Sequence, residues 1–199
     1  MTPNPILLIL GSGPRIGSSV AKSFASKGYT IVLASRSGTN NKTSEGYHSL
    51  RADFADPSSI PSLFASVRSE TGSSPSVVVY NAGALTMPPD EDSVLSIPAE
   101  HVVKDFNVNT ISPYVAACEA VKGWDAMGAG GSKVKGTFIF TGNAQNVLVL
   151  PMPMLMDVGM GKAATAYWIG AADPNFVRKG YRYVATHARV YSMGRLGTC

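Results

Sequence analysis

The sequence predicts an α/β fold in which a doubly wound parallel sheet carries helices on both faces. Three observations predict it. Short apolar runs alternate with stretches of helical periodicity along the chain, the pattern of repeated strand–helix–strand units. The run Ser76–Tyr80 is apolar and β-branched without polar alternation, as expected of a strand buried on both faces. The first apolar run, Ile6–Leu10, passes directly into a glycine-rich turn and then a helical pattern. The 199 residues suit one domain, 1–199, with a single core, and the runs sum to about six strands.

The elements follow in order. Ile6–Leu10 is the first predicted strand, and Ile16–Ser26 a helix that turns Val20, Phe24 and Ala21 to the sheet. Thr30–Ala34 is the second strand, and the polar stretch Ser37–Ser44 a loop. Tyr47–Ala52 is the third, ending at Asp53. Pro57 opens a helix on which Ile60, Leu63, Phe64 and Val67 share one face. Ser76–Tyr80 is the fourth strand, and the proline-containing stretch Thr86–Asp92 a loop. A long helical pattern over His101–Trp124 is broken near Ser112-Pro113. Gly128–Ser132 reads as a turn, Gly136–Thr141 as a buried strand, Leu155–Ala172 as a helix after Pro151 and Pro153, and Tyr181–Thr186 as the sixth strand. Residues 187–199 carry no further strand pattern and are expected to be irregular.

Composition excludes several classes of function. A formal charge of +4 without a lysine/arginine run is not the clustered basic stripe that nucleic acid requires. No apolar run reaches the length of a membrane span, and the N-terminal one lacks a basic leader. Cys118 and Cys199 form no disulfide framework, so a reducing, cytoplasmic setting is expected. His48, His101 and His187 have no metal-ligand spacing, and no metal is expected.

The chemistry begins at Gly11-Ser12-Gly13-Pro14-Arg15-Ile16-Gly17. Glycines allow the backbone to turn sharply and approach a pyrophosphate, and the helix that follows offers unpaired N–H groups and the positive end of its dipole. In this strand–turn–helix setting the segment predicts a Rossmann-type dinucleotide site at Gly11, Gly13, Arg15, Ile16 and Gly17, although its spacing is one residue longer than the usual fingerprint. An acidic residue at the end of the second strand would favour a free ribose 2′-hydroxyl. This chain has Ala34-Ser35-Arg36 there, and a guanidinium suits forked phosphate recognition. Ser35, Arg36 and Arg15 thus favour NADP(H) over NAD(H).

With these segments in family order, the chain resembles the short-chain dehydrogenase/reductase family over roughly residues 5–186. Gly11, Ile16 and Gly17 match the family's glycine motif, whereas Leu10 and Arg15 depart from it. By the resemblance, Asp53 bonds the adenine amino group and Asn81-Ala82-Gly83 borders the cofactor. Asn109 supports the active-site lysine through water, and Lys162-Ala163-Ala164 belongs to the catalytic helix, where the lysine holds the nicotinamide ribose.

The resemblance also implies a loss. The family places a proton-donating tyrosine four residues before its lysine, and Val158 stands there. None of the nine lysines has tyrosine at that spacing, so no shift of alignment restores the motif. Asn143 falls at the substrate-binding serine, and its amide can donate to a substrate oxygen. Thr141 lies about 6.6 Å back along the strand. Asp157 precedes Val158, but one helical step turns its side chain by about 100°. Lys162, Asn109 and Asn143 are thus the candidate catalytic residues. Lys162 is the best remaining acid, because burial would bring its pKa toward neutrality; its other role is to hold ribose alone. Met152, Met154, Met156 and Met160 would either line an apolar substrate pocket or fill the core.

The resemblance implies further strand pattern and a Pro-Gly turn after the sixth strand, and neither is found in 187–199. A partner chain covering the last strand is one expectation, and a shortened gene product is another. Subunit pairing through Asn107–Trp124 and Leu155–Ala172 is implied by resemblance alone. Three readings follow: an NADP(H)-dependent reductase of a small carbonyl or enone, a non-redox isomerase or cyclase on the same scaffold, or a cofactor-binding sensor without turnover.

Overall fold

A computed structural model describes residues 4–129 and 134–186. Strands β1 (Ile6–Leu10), β2 (Thr30–Ser35), β3 (Asn41–Lys42), β4 (His48–Arg51), β5 (Val77–Tyr80), β6 (Thr137–Thr141) and β7 (Arg182–Thr186) form one sheet in the order β3-β4-β2-β1-β5-β6-β7. Every pairing is parallel except that of β3 with β4. The helices are α1 (Ile16–Ala25), α2 (Ile60–Thr71), α3 (Ala99–Phe106), α4 (Ser112–Gly128) and α5 (Met156–Phe176). This is the predicted Rossmann-type sheet.

All five residues of β1 are buried, and strand alternation sends them to two cores. Ile6, Leu8 and Leu10 enter a large core with Ile60, Leu63, Phe64 and Val67 of α2 and with residues of α4 and α5. Leu7 and Ile9 enter a smaller one with Ala21, Val20 and Phe24 of α1. At the base of the large core, Trp124 is fully buried, and its indole N–H donates to the Pro75 carbonyl at 2.7 Å.

Several boundaries differ from expectation. The predicted loop Ser37–Ser44 contains β3, because the Thr43 N–H donates to the Tyr47 carbonyl at 2.8 Å around a tight turn with Gly46 at φ 81°. The break in the long helix lies earlier than Ser112-Pro113, as a π-helical turn over Asn107–Ile111. Pro113, without an N–H, is the second residue of α4. Helices α4 and α5 also run past their predicted ends at Trp124 and Ala172. The part of the expected Gly128–Ser132 turn beyond Ala129, His187, Cys199 and the expected irregular end 187–199 lie outside the described residues. No helix among those described is long and apolar enough to cross a membrane.

Candidate active site

The site begins where β1 ends. Gly11 has φ +89°, a conformation that costs glycine little, and a Cβ there would collide with the backbone nitrogen of Ala82. Gly17 is closed in as well, since its Cβ would lie 2.8 Å from Ser12 Cα. At Gly13 a Cβ would meet nothing within 4 Å, so the middle of the turn faces open space. The backbone N–H groups of Arg15, Ile16 and Gly17 find no backbone acceptor among the described residues, which leaves donors at the start of α1.

Asn81 fastens this turn to the rest of the sheet. Its amide donates to the Gly11 carbonyl at 2.8 Å and accepts from the Thr141 hydroxyl at 2.9 Å. One side chain thereby links the ends of β1, β5 and β6. The sequence signal was the Asn-Ala-Gly segment, but the bond to Thr141 was not expected.

These ends open on a cleft of about 880 Å3. Of the predicted residues, Gly11, Gly13, Ser35, Arg36, Asp53, Asn81, Ala82 and Gly83 line it. Arg15 and Ile16 are exposed at the start of α1 and Gly17 is buried beneath the turn; none of the three lines the cleft. The Asp53 carboxylate accepts from the Ala55 N–H at 3.0 Å. Arg36 is exposed, with Ser35 and Ser37 beside it.

The three candidate catalytic residues sit near one another in the fold but are separately engaged. Asn109, fully buried, clamps Ala84 in both directions, accepting from its N–H at 3.1 Å and donating to its carbonyl at 2.8 Å. The Lys162 amine donates to the Thr141 carbonyl at 2.9 Å and lies 4.4 Å from the centre of the Phe140 ring. Burial lowers its pKa to about 8. Lys162 and Asn109 share no direct hydrogen bond among the described residues. Asn143 caps the turn Ala144–Asn146, with its side chain accepting from the Gln145 N–H at 2.9 Å and donating to the Gln145 side chain at 3.1 Å.

Val158 is buried one turn before Lys162 on α5. No tyrosine is among the described residues lining the cleft. Tyr167, also on α5, is exposed. Met152, Met154 and Met160 are exposed rather than filling a core, and Met156 is half-buried; Val147–Leu150, between β6 and α5, are exposed as well.

Sequence reasoning missed one arrangement. Asp157 points away from the Val158 face toward α3, where Thr86 bridges it to Asp105. Its pKa rises to about 6, first through burial and then through the neighbouring Asp105 carboxyl. The available signal was helical spacing: Asp105 lies four residues before Asn109 and Asp157 four before Gly161, so each aspartate shares an inward face with a packed residue. No group of three metal-ligating side chains is present among the described residues.

A cleft at the carboxyl ends of parallel strands, walled by a glycine turn and a helix start, defines a nucleotide-binding α/β protein of the Rossmann class. The sequence profile described as Enoyl-(Acyl carrier protein) reductase matches residues 13–154. The short chain dehydrogenase/reductase dmxR12 of Cryptosporiopsis sp. (strain 8999) is 39% identical over 207 residues, covering 98% of this chain and 80% of that protein. The chain belongs to the short-chain dehydrogenase/reductase family. Among solved structures, an oxidoreductase of that family from Brucella ovis, in complex with a partially ordered NAD, superposes with TM-score 0.76 at 22% identity, over 92% of this chain and 82% of that one. A short-chain dehydrogenase from Rhodopseudomonas palustris gives 0.78 at 16% identity, over 94% and 86%. A 4-hydroxyisoleucine dehydrogenase complexed with NADH gives 0.72 at 20% identity, over 92% and 74%.

Proposed function

We propose that this chain is a divergent, NADP(H)-binding oxidoreductase that reduces a small carbonyl or enone, without the family's proton-donating tyrosine. The observation that carries the reading is the composition of the cleft wall after β2. Ser35, Arg36 and Ser37 stand there with no acidic side chain between them, a setting that welcomes a 2′-phosphate and its charge. The turn fits a dinucleotide as well: Gly13 leaves open space, and the start of α1 offers N–H donors. The Brucella ovis structure and the 4-hydroxyisoleucine dehydrogenase hold NAD and NADH, which supports a nicotinamide cofactor in general.

When bound, NADPH supplies a hydride. The residues of the chain do the rest. In this reading the glycine turn and α1 hold the pyrophosphate, Asp53 the adenine end, and Lys162 the ribose next to the nicotinamide. Val158 has no proton to give. An ammonium at Lys162 with pKa about 8 keeps a transferable proton at neutral pH. An enone, reduced at its β-carbon, places the least demand on such an acid. An apolar substrate belongs to the same reading, with Leu148, Val149, Met152 and Met154 exposed in the segment before α5. Pairing of subunits through α4 and α5 belongs to the same reading, with Tyr114 and Tyr167 exposed on those helices.

Calorimetric titration of the chain with NADPH and with NADH tests it. Tight binding with NADPH preferred supports the reading, and no binding by a folded chain overturns it. A second reading, a cofactor-binding sensor or a non-redox isomerase or cyclase, is favoured by the engagement of the Lys162 amine with Thr141. NADPH that binds yet is never oxidised by any enone would select it.

A further inference from the structure

Two buried carboxyl groups meet at the cleft wall, which Asp105 lines together with Thr86 while Asp157 lies behind it. Asp105 on α3 is 5% exposed and Asp157 on α5 1%. Thr86, in the chain leaving β5, joins them: its N–H donates to Asp157 Oδ2 at 2.9 Å and its hydroxyl to Asp105 Oδ2 at 2.7 Å. The Val158 N–H donates to Asp157 Oδ1 at 2.6 Å. Neither carboxyl is in an ion pair among the described residues. Two adjoining buried carboxylates without a cation are poorly tolerated when both are ionised, and one shared proton relieves them.

Few other charges surround the pair. On α3, His101 and Lys104 line the cleft beside Asp105 itself. The turns Asn107–Ile111, Ala144–Asn146 and Pro153–Leu155, which pack against α5, carry no titratable side chain. Lys162 is directed to Thr141, and β7, with Arg182 and Tyr183, meets α5 near Asp173.

We propose that the proton held at Asp157, beside Asp105 and Thr86, is a pH-sensitive latch on the cleft wall at Gly83–Thr86. With the proton in place, Thr86 bonds both carboxyls at once. When it is lost, the carboxylates repel and part, and Thr86 cannot follow both. The wall that Gly83, Ala84 and Thr86 contribute to the cleft then loosens. Burial and the Asp105 carboxyl set the Asp157 transition at about 6. The effect on binding rests on the cofactor reading above; the latch itself does not.

The test follows the Thr86 and Ala84 amide NMR signals of the ligand-free chain from pH 5 to 8, beside NADPH calorimetry at the same pH values. Both are repeated on Asp105→Asn, which keeps an oxygen for the Thr86 hydroxyl and gives Asp157 a permanent N–H donor. The Thr86 amide should titrate near pH 6 in the natural chain only, and NADPH affinity should fall several-fold more with rising pH there than in the variant. Comparing the two chains cancels titration of the cofactor's own phosphate. A Thr86 signal that is flat near pH 6, or that titrates identically in Asp105→Asn, overturns the latch. A titrating Thr86 with identical binding profiles overturns its control of the cleft. If NADPH binds at no pH, the cofactor reading fails while the Thr86 titration still decides the latch. Asp157→Asn removes the same proton and serves if Asp105→Asn does not fold.

Discussion

Thr165 on α5 donates its hydroxyl to the Asn109 carbonyl at 2.7 Å, an acceptor that Pro113, four residues on, has no N–H to satisfy. Beside that bond, Gly161 lets α5 approach so closely that a Cβ there would collide with Asn109 Cβ. The π-helical turn is thus docked to α5 by its backbone, and the Asn109 side chain remains available to hold Ala84 in the cleft wall.

Asn109→Ala should therefore be costly. It leaves the N–H and carbonyl of half-buried Ala84 without their partner, at about 1–2 kcal/mol each, the lower part of the range for an unsatisfied group because the cleft is open to water. A loss of about 2–4 kcal/mol in urea unfolding is expected, and a loss within experimental error would show that Ala84 finds other partners.

Arg36→Ala should separate the two cofactors. A charge-assisted bond of about 1.5–3 kcal/mol corresponds to roughly 10- to 150-fold in affinity. NADPH binding should weaken by about that factor, with NADH nearly unchanged. Equal weakening of both would remove Arg36 as the phosphate contact.

Lys162 should mark the pH dependence of stability. Its folded pKa of about 8 lies below the ordinary 10.5, so between these values the unfolded chain binds more protons than the native one. Stability contributed by this site then rises as pH rises through that window, and the cost of burying the charge is fully present below it. Urea midpoints of the natural chain and Lys162→Met, compared from pH 7 upward, should converge or cross as the amine is neutralised. Parallel profiles would mean that the amine titrates normally.

Val158→Tyr combined with Asn143→Ser should restore a proton donor and a substrate-binding hydroxyl. General acid catalysis is typically worth ~100- to 10,000-fold, and NADPH-dependent carbonyl reduction should rise by at least the lower figure. A folded, NADPH-binding double variant without that gain would place the defect elsewhere in the site. Val158 is buried, so stability should be measured alongside, since overpacking costs about 1–3 kcal/mol.

Much of the architecture was legible because its determinants are local. The apolar runs of β1 and β5 admit burial on both faces, and Ile60, Leu63, Phe64 and Val67 define one helical stripe that the fold does bury. The glycine turn was legible for the same reason. β3 was not, because two polar residues, Asn41 and Lys42, become a strand only by pairing with β4. The π-helical turn was not, because Asn107–Ile111 carries no local sign of a fifth-residue hydrogen bond. The Asp105–Thr86–Asp157 bridge was hidden most deeply, since its three members come from α5, α3 and the chain after β5.

The sequence by itself determined the alternation of strands and helices, the glycine turn, the arginine after β2 and the valine four residues before Lys162. Each follows from residue type and short-range spacing. Tertiary structure alone decided that Arg36 lines the cleft while Arg15 does not, that the Lys162 amine rests on the Thr141 carbonyl, and that two aspartates share one buried space. The physical reason is that hydrogen-bond partners and desolvation depend on which distant segments the sheet brings together, and that is set by packing rather than by local pattern.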